Sequence, residues 1–327
     1  MYNVKMTGLY KSCRICPRNC GVNRFAGETG FCGETSDLRI AAAVIHMGEE
    51  PPLVGKGGSG TIFFSGCNLG CSFCQNYQIS RGVDGNQSLG KAVSPAEFAG
   101  ICASLRDKGA ENINIVTGSH AVPALLECLD AAREAGLRLP VLWNSSAYES
   151  LPALELLRGY VDVYLPDLKT LDSGVAELFF NAPDYPDTAK AAILKMIGNL
   201  EREKTNKGRG TKRGIIIRHL ILPGYIDSTR EVLRWYKKNA CDYAALSLMT
   251  QYTPIPPSDS SGKRPEMPQR YLLREEYETV LYWLKEFDIE NGFCQELVTG
   301  SGWLPDFRRY NPFSSELSVP VWSPAKL

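Results

Sequence analysis

Neither sign of charge is in excess in this sequence: lysine and arginine together number 36, and aspartate and glutamate also number 36. A chain without a basic surplus does not advertise nucleic-acid binding, and one without an acidic surplus carries no solvating tail. No uncharged apolar run approaches the roughly 18 residues that span a bilayer. The opening stretch, MYNVKMTGLYKSCRIC, lacks the apolar core of a secretory signal. No repeat of solenoid length stands out. Cysteine makes up only about 3% of the chain, well short of a secreted disulfide scaffold. The expectation is a cytoplasmic protein that engages neither nucleic acid nor membrane. Its 327 residues, 44% of them hydrophobic, suffice for one large core or a barrel with appendages.

What is present is a particular distribution of cysteine. Seven of the eleven fall in the first 74 residues, in two tight groups, while Cys102, Cys128, Cys241 and Cys294 are scattered in apolar contexts that read as core. In a reducing compartment, clustered cysteines bind metal more often than they pair.

Residues 1–50 read as a Cys- and Gly-rich head with little periodic pattern, too short to bury much core and so stapled by metal. Beyond it, strand-like and helix-like stretches alternate. The strand candidates are GTIFFSG (60–66), NINIVT (112–117), VLWN (141–144), VDVYLP (161–166), GIIIRHLIL (214–222) and YAALSLM (243–249). Amphipathic stretches lie between them; Ser94-Pro95 opens one, and Gly109 and Gly136 close two. Such alternation implies parallel strands joined by right-handed crossovers and buried on both faces. The expected fold is α/β, a partial (β/α)6 TIM-like barrel, with a doubly wound open sheet as the alternative. The barrel spans 51–300, between the head and a C-terminal arm over 301–327. The segment 253–268 reads as a Pro/Ser-rich loop and SPAKL as a loose tail. Either architecture places the chemistry at the C-terminal ends of the strands.

There, directly after the first barrel strand, stands SGCNLGCSFCQNYQIS. Cys67, Cys71 and Cys74 follow a Cys-x3-Cys-x2-Cys spacing with Phe73 before the last, and Gly66 and Gly70 let the loop turn tightly. Thiolates are the ligands of iron–sulfur clusters, and a 4Fe–4S cube normally takes four. Three on one loop leave an iron open to chelate the amino and carboxylate groups of S-adenosylmethionine (SAM). A three-cysteine zinc site and chance spacing are the competing readings.

The spacing, with its aromatic residue, resembles the signature of the radical SAM superfamily. CRICPRNCGVNRFAGETGFCG, GEEPPLVGKGGSGTIFFSGCN, the DLK of YLPDLK, IRHLILPG and WLPDF are similar to a branch near the pyruvate formate-lyase activating enzymes that carries an extra Cys-rich head. The resemblance implies a 4Fe–4S cluster that reductively cleaves SAM, with hydrogen abstraction from substrate. It further implies a flavodoxin- or ferredoxin-like electron donor and, for an activase, a glycyl radical protein as partner. A radical SAM enzyme acting on a small molecule or another peptide, and a non-catalytic iron–sulfur carrier, are the alternatives.

At the second strand's end, where the superfamily carries Gly-Gly-Glu-Pro to receive the SAM ammonium, this chain has Thr117-Gly118-Ser119-His120, with no carboxylate. Backbone carbonyls or the Ser119 hydroxyl then have to accept those bonds. Asn144 and Ser145 match the activating enzymes' Asp-Thr-Asn-Gly; Asp167 and Lys169 match their Asp-x-Lys, which reaches the SAM carboxylate and ribose. Arg218 and Gln251 align near adenosine or substrate. His219, adjacent to Arg218 on the strand, faces the helix layer as a core histidine, His120 either caps the next helix or contacts ligand, and His46 has no assignment.

In the head, Cys13, Cys16, Cys20 and Cys32 form a four-thiol set suited to a closed zinc site or a second cluster. A cluster relays electrons inward, whereas zinc only holds the head folded. Arg14, Arg18 and Arg24 are expected to solvate the head, and WLPDFRRYNPF (303–313) to pack against the outside of the barrel rather than over its mouth.

Overall fold

A computed structural model describes residues 8–80, 89–204, 213–255 and 267–326. Most of the loop expected over 253–268 lies outside them. In chain order the strands are β1 (Arg39–His46), β2 (Ser59–Phe64), β3 (Lys91–Ala92), β4 (Ile113–Val116), β5 (Val141–Ser145), β6 (Val163–Pro166), β7 (Gly214–Leu220), β8 (Ala245–Met249), β9 (Gly292–Cys294) and β10 (Ser318–Trp322).

All six expected barrel strands are present, as β2 and β4 to β8. They form one sheet in the order β10-β1-β2-β4-β5-β6-β7-β8-β9, and β3 pairs with β1. From β2 to β9 every pairing is parallel. Each crossover advances one place in the same direction, without the reversal that defines a doubly wound sheet, so the sheet curls into an open barrel.

The expected helices form between the strands. Pro95–Asp107 starts from Ser94, whose hydroxyl accepts the Glu97 amide while the Glu97 carboxylate takes the Ser94 amide. Leu151–Leu157 starts from Ser150 in the same way, though without the reciprocal bond. Gly109 and Gly136 adopt left-handed φ of +92° and +95° just beyond two helices. Outward strand residues such as Ile115, Trp143 and Ile217 join Phe98, Leu125 and Val232 of these helices in the main core.

Inward residues Leu142, Val163, Leu165 and Ile216 form a separate cluster closed by Leu53, from the one-turn helix Pro51–Val54. The segment before β2 thus plugs the barrel from within. Among the described residues no helix is long and apolar enough to cross a membrane.

Two departures from the sequence reading matter. The head is not without regular structure, because RIAAAVIH forms β1, antiparallel to both β2 and β10. Nor does the arm stay outside: Phe307 and Phe313 stack on Phe63, and Trp303 and Phe313 line the central cavity. Burying these rings on β1 and β2 removes more apolar surface from water than an outer, helix-covered face offers. The head also shares the barrel's core, to which Tyr10, Cys13, Ile15 and Cys16 belong.

Candidate active site

The cysteine loop leaves β2 through Gly66 and Gly70, both in left-handed conformation (φ +78° and +66°). A Cβ at Gly66 would sit 2.8 Å from the Cys32 carbonyl oxygen. The loop is held by its neighbours. Asn68 donates to the Tyr148 carbonyl (2.6 Å), and Ser72 donates to the Phe179 carbonyl from its amide and its hydroxyl (2.9 and 3.1 Å). Phe73 is buried against Phe179, Phe180 and Tyr252.

Cys67, Cys71 and Cys74 thereby line one cavity of about 550 Å³ at the C-terminal ends of the strands. The Leu69 amide points at the Cys67 sulfur (3.4 Å). Burial pushes the Cys71 and Cys74 thiols up, so their thiolates need a cation's charge. Among the described residues no three His, Cys, Asp or Glu side chains gather closely enough to hold a single metal ion. Three thiols on one loop, facing a cavity that the polar strand ends also line, fit a cube with one open corner.

The strand ends contribute Thr117, Asn144, Ser145, Ser146, Asp167, Lys169, Arg218 and Gln251 to the same wall, together with Phe73. Lys169 Nζ lies 2.6 Å from Asp167 Oδ2. Burial works against the Lys169 charge, but Asp167, Cys71 and Tyr185 together outweigh it and raise its pKa, so the ammonium stays protonated. Ser146 lines the cavity, and its Oγ is buried with no hydrogen-bond partner among the described residues.

Gly118 and Ser119 do not line the cavity. Thr117 takes a left-handed φ of +62°, and the chain turns so that Gly118 packs on Trp143. Ser119 Oγ then donates to Glu149 (2.9 Å), whose same oxygen takes Trp143 Nε1 (2.5 Å). A carboxylate therefore does stand at this strand end, supplied by the following loop rather than by the motif. Burial raises Glu149 to about 7 against the hydrogen bonds from Trp143, Ser119 and Ser145. Its Oε2 has no partner among the described residues.

The cavity floor was not legible in the sequence. Arg218 lies buried between Glu50 (Nε to Oε1 2.8 Å) and Glu49, and Asn114 holds the other Glu49 oxygen at 2.9 Å. Burial opposes the Arg218 charge, but the two glutamates outweigh it and raise its pKa. Burial also opposes Glu50, which the Arg218 charge nonetheless keeps below the usual carboxylate range. His46 lines the cavity too, edge-on to Phe313, with its Nδ1 accepting the Gly48 amide (3.0 Å).

His219 is a satisfied core residue, bonded to the Leu168 carbonyl (2.6 Å) and Thr229 (2.9 Å) and lowered to about 4 by burial. Cys102 and Cys128 are buried, and Cys241 is half-buried on the Lys237 carbonyl. Cys294, on the short β9, is exposed and faces the cavity instead of the core.

Cys13, Cys16, Cys20 and Cys32 line a second, much smaller cavity with Arg18, Arg24, Asn68 and His120. Arg18 and Arg24 do not solvate the head. Arg18 reaches the carbonyls of Asn68 (2.9 Å), Leu69 (3.1 Å) and Phe180 (2.7 Å). Arg24 is only 2% exposed and bonds the carbonyls of Glu34 (3.2 Å) and His120 (2.6 Å). Only Arg14 is exposed. His120 neither caps the next helix, whose N-cap is Ala121, nor enters the central cavity; burial lowers its ring to about 3.

The family model described as Radical SAM superfamily matches residues 61–236. The Uncharacterized protein MJ0674 of Methanocaldococcus jannaschii is 33% identical over 287 residues, covering 86% of this chain and 77% of that protein. Among solved structures, methylornithine synthase (PylB) aligns over 78% of this chain and 72% of its own at 15% identity, TM-score 0.45. Streptococcus suis SuiB bound to S-adenosylmethionine aligns over 70% of this chain at 15% identity, TM-score 0.45, and the chain spans about half of SuiB's length (48%).

Proposed function

The chain belongs to the radical SAM superfamily, and from that premise we propose that it cleaves SAM reductively to draw a hydrogen atom from a compound small enough to enter the central cavity. One observation carries this reading: Cys67, Cys71 and Cys74 share one cavity with the polar strand ends and with the acidic floor. When bound, the 4Fe–4S cluster and SAM supply an electron and a 5′-deoxyadenosyl radical.

This chain's residues do the rest. The three cysteines hold the cluster through three of its corners. Asp167 and Lys169 orient SAM by its carboxylate and ribose, Thr117 and Ser146 offer oxygens to its ammonium, and Asn144, Ser145 and Gln251 line its path. Glu49, Glu50 and Arg218 shape the far end, where substrate sits. Trp303 and Phe313 lie over the flank of the barrel and exclude water from the radical. The functional parts run in chain order: head to about residue 50, barrel to 300, arm beyond.

The arm favours a small substrate, since its aromatic side chains occupy the flank along which an extended peptide would approach. The test is anaerobic reconstitution with SAM and reductant, reading 5′-deoxyadenosine and deuterium transfer from labelled candidate metabolites. Deuterium in 5′-deoxyadenosine from a metabolite supports the reading. A glycyl doublet on a partner protein, with no transfer from any metabolite, replaces it with the activase that the resemblance implies. No 5′-deoxyadenosine from fully loaded protein overturns both.

A further inference from the structure

The four head cysteines share one small cavity, as the catalytic three share the central one. The Phe31 amide donates to the Cys20 sulfur at 3.4 Å; burial pushes the Cys16 thiol up to about 12 and the Cys32 thiol up as well, and the Arg18 and Glu34 amides only partly offset it. Cys67 takes the Leu69 amide at 3.4 Å, and Cys74 takes the Asn76 amide. In addition, the buried Arg24 guanidinium bonds the Cys13 sulfur and lies close to Cys32. Backbone amides and an enclosed cation aimed at sulfur stabilise thiolate charge, and hydrogen bonds to the sulfurs tune a cluster's potential.

The second observation is placement. Cys67 and Leu69 line the central cavity, while Asn68 between them lines the head cavity. Thr117 and His120, at the two ends of one turn, divide in the same way. Arg18 clamps the shared loop, and the Cys32 carbonyl packs against Gly66 just before Cys67. The two thiol sets stand back to back across one thickness of chain.

Third, the head is anchored to the barrel by more than its cysteines. Tyr10 and Ile15 already sit in the barrel's core, and Ser150 bonds the Ile15 carbonyl at 2.7 Å. Cys20, at the outer end of the set, is exposed.

We infer that Cys13, Cys16, Cys20 and Cys32 hold a second 4Fe–4S cluster, through which electrons reach the catalytic centre from the protein surface. In the forward step the reduced head cluster loses one electron and the catalytic cluster gains it; a low-potential ferredoxin- or flavodoxin-type donor then returns one electron to the head. No proton or bond moves until SAM takes the electron and its sulfonium–C5′ bond breaks. This inference rests on the radical SAM reading above.

The experiment reconstitutes the full chain anaerobically with iron and sulfide. Wild type should hold about eight irons and the Cys67/Cys71/Cys74→Ala variant about four, in a reducible, paramagnetic cluster. Fully reduced wild type should show an electron paramagnetic resonance spectrum broadened by coupling between two spins, absent from either single-cluster protein. In a Cys13→Ala/Cys16→Ala variant, the rate of SAM cleavage with reduced flavodoxin, divided by that with dithionite, should fall at least roughly tenfold. One zinc in the triple variant, two uncoupled spectra in wild type, or an unchanged donor ratio each overturns the inference. If the double variant does not fold, the iron count and the wild-type spectrum still decide. A protein with two coupled clusters that never cleaves SAM would instead sink the function proposed above and leave the site standing.

Discussion

Replacing Glu149 by glutamine removes a buried charge without changing shape, and the structure says how the result should depend on pH. In the folded protein the carboxyl is raised from the ordinary 4.5 to about 7 by burial, which the Trp143, Ser119 and Ser145 hydrogen bonds only partly offset. In the unfolded chain it loses its proton near 4.5. Between those values the folded state holds a proton that the unfolded state has released, so stability falls as pH rises and levels off above about 7. The rise from 4.5 to about 7 corresponds to about 3 kcal/mol. Glutamine carries no such cost. Its amide oxygen keeps the Trp143 and Ser119 bonds, and its amide nitrogen replaces an oxygen that had no partner among the described residues. The variant-minus-wild-type difference in unfolding free energy, measured by urea denaturation of the apoprotein at pH 5 and pH 8, should therefore grow by about 2.5 kcal/mol in favour of the Glu149→Gln variant at the higher pH, since at pH 5 the unfolded carboxyl is already partly ionised. Other titrating groups cancel in that difference. An equal gap at both pH values would show that Glu149 is hydrated or ionised throughout, and would refute the reasoning.

Cys71→Ala should remove about four irons and all SAM cleavage, whereas Cys102→Ala, in the core, should leave iron content and cleavage as they are; iron analysis and chromatography of 5′-deoxyadenosine check both. Asp167→Asn or Lys169→Ala should weaken SAM binding roughly tenfold with the cluster retained, and equilibrium dialysis showing unchanged affinity would return the pair to a structural salt bridge. Arg218→Met strands Glu49 and Glu50 in the barrel and should cost about 3–5 kcal/mol of stability by denaturation. Adding Glu49→Gln and Glu50→Gln should recover most of it; no recovery would mean that packing, not charge, sets the cost.

The sequence by itself determined the barrel and the radical SAM family, because both are written in short-range pattern. Near-continuous apolar runs such as GIIIRHLIL alternate with helical segments whose caps lie within a few residues, and three thiols with their aromatic partner sit within one eight-residue loop. The alternation of Arg218 and His219 across a strand was also readable, since successive side chains point to opposite faces. Tertiary structure alone decided whatever depended on distant partners. RIAAAVIH, rich in alanine, becomes a strand because the edges of β2 and of residues 318–322 are there to pair with it. Glu49 and Glu50, to which the sequence assigned no role, are buried because Arg218 meets them from β7, 168 residues from Glu50. Glu149 is buried beside the Thr117–His120 turn, taking the Ser119 hydroxyl and Trp143 Nε1, only because the left-handed Thr117 swings Ser119 towards the loop after β5. Arg18, one of three arginines that composition treats alike, clamps two thiol sets together because the chain brings carbonyls 50 and 162 residues away to the same point. A charge or donor can be buried only when its partner arrives by folding, and nothing in the sequence near either residue records that meeting.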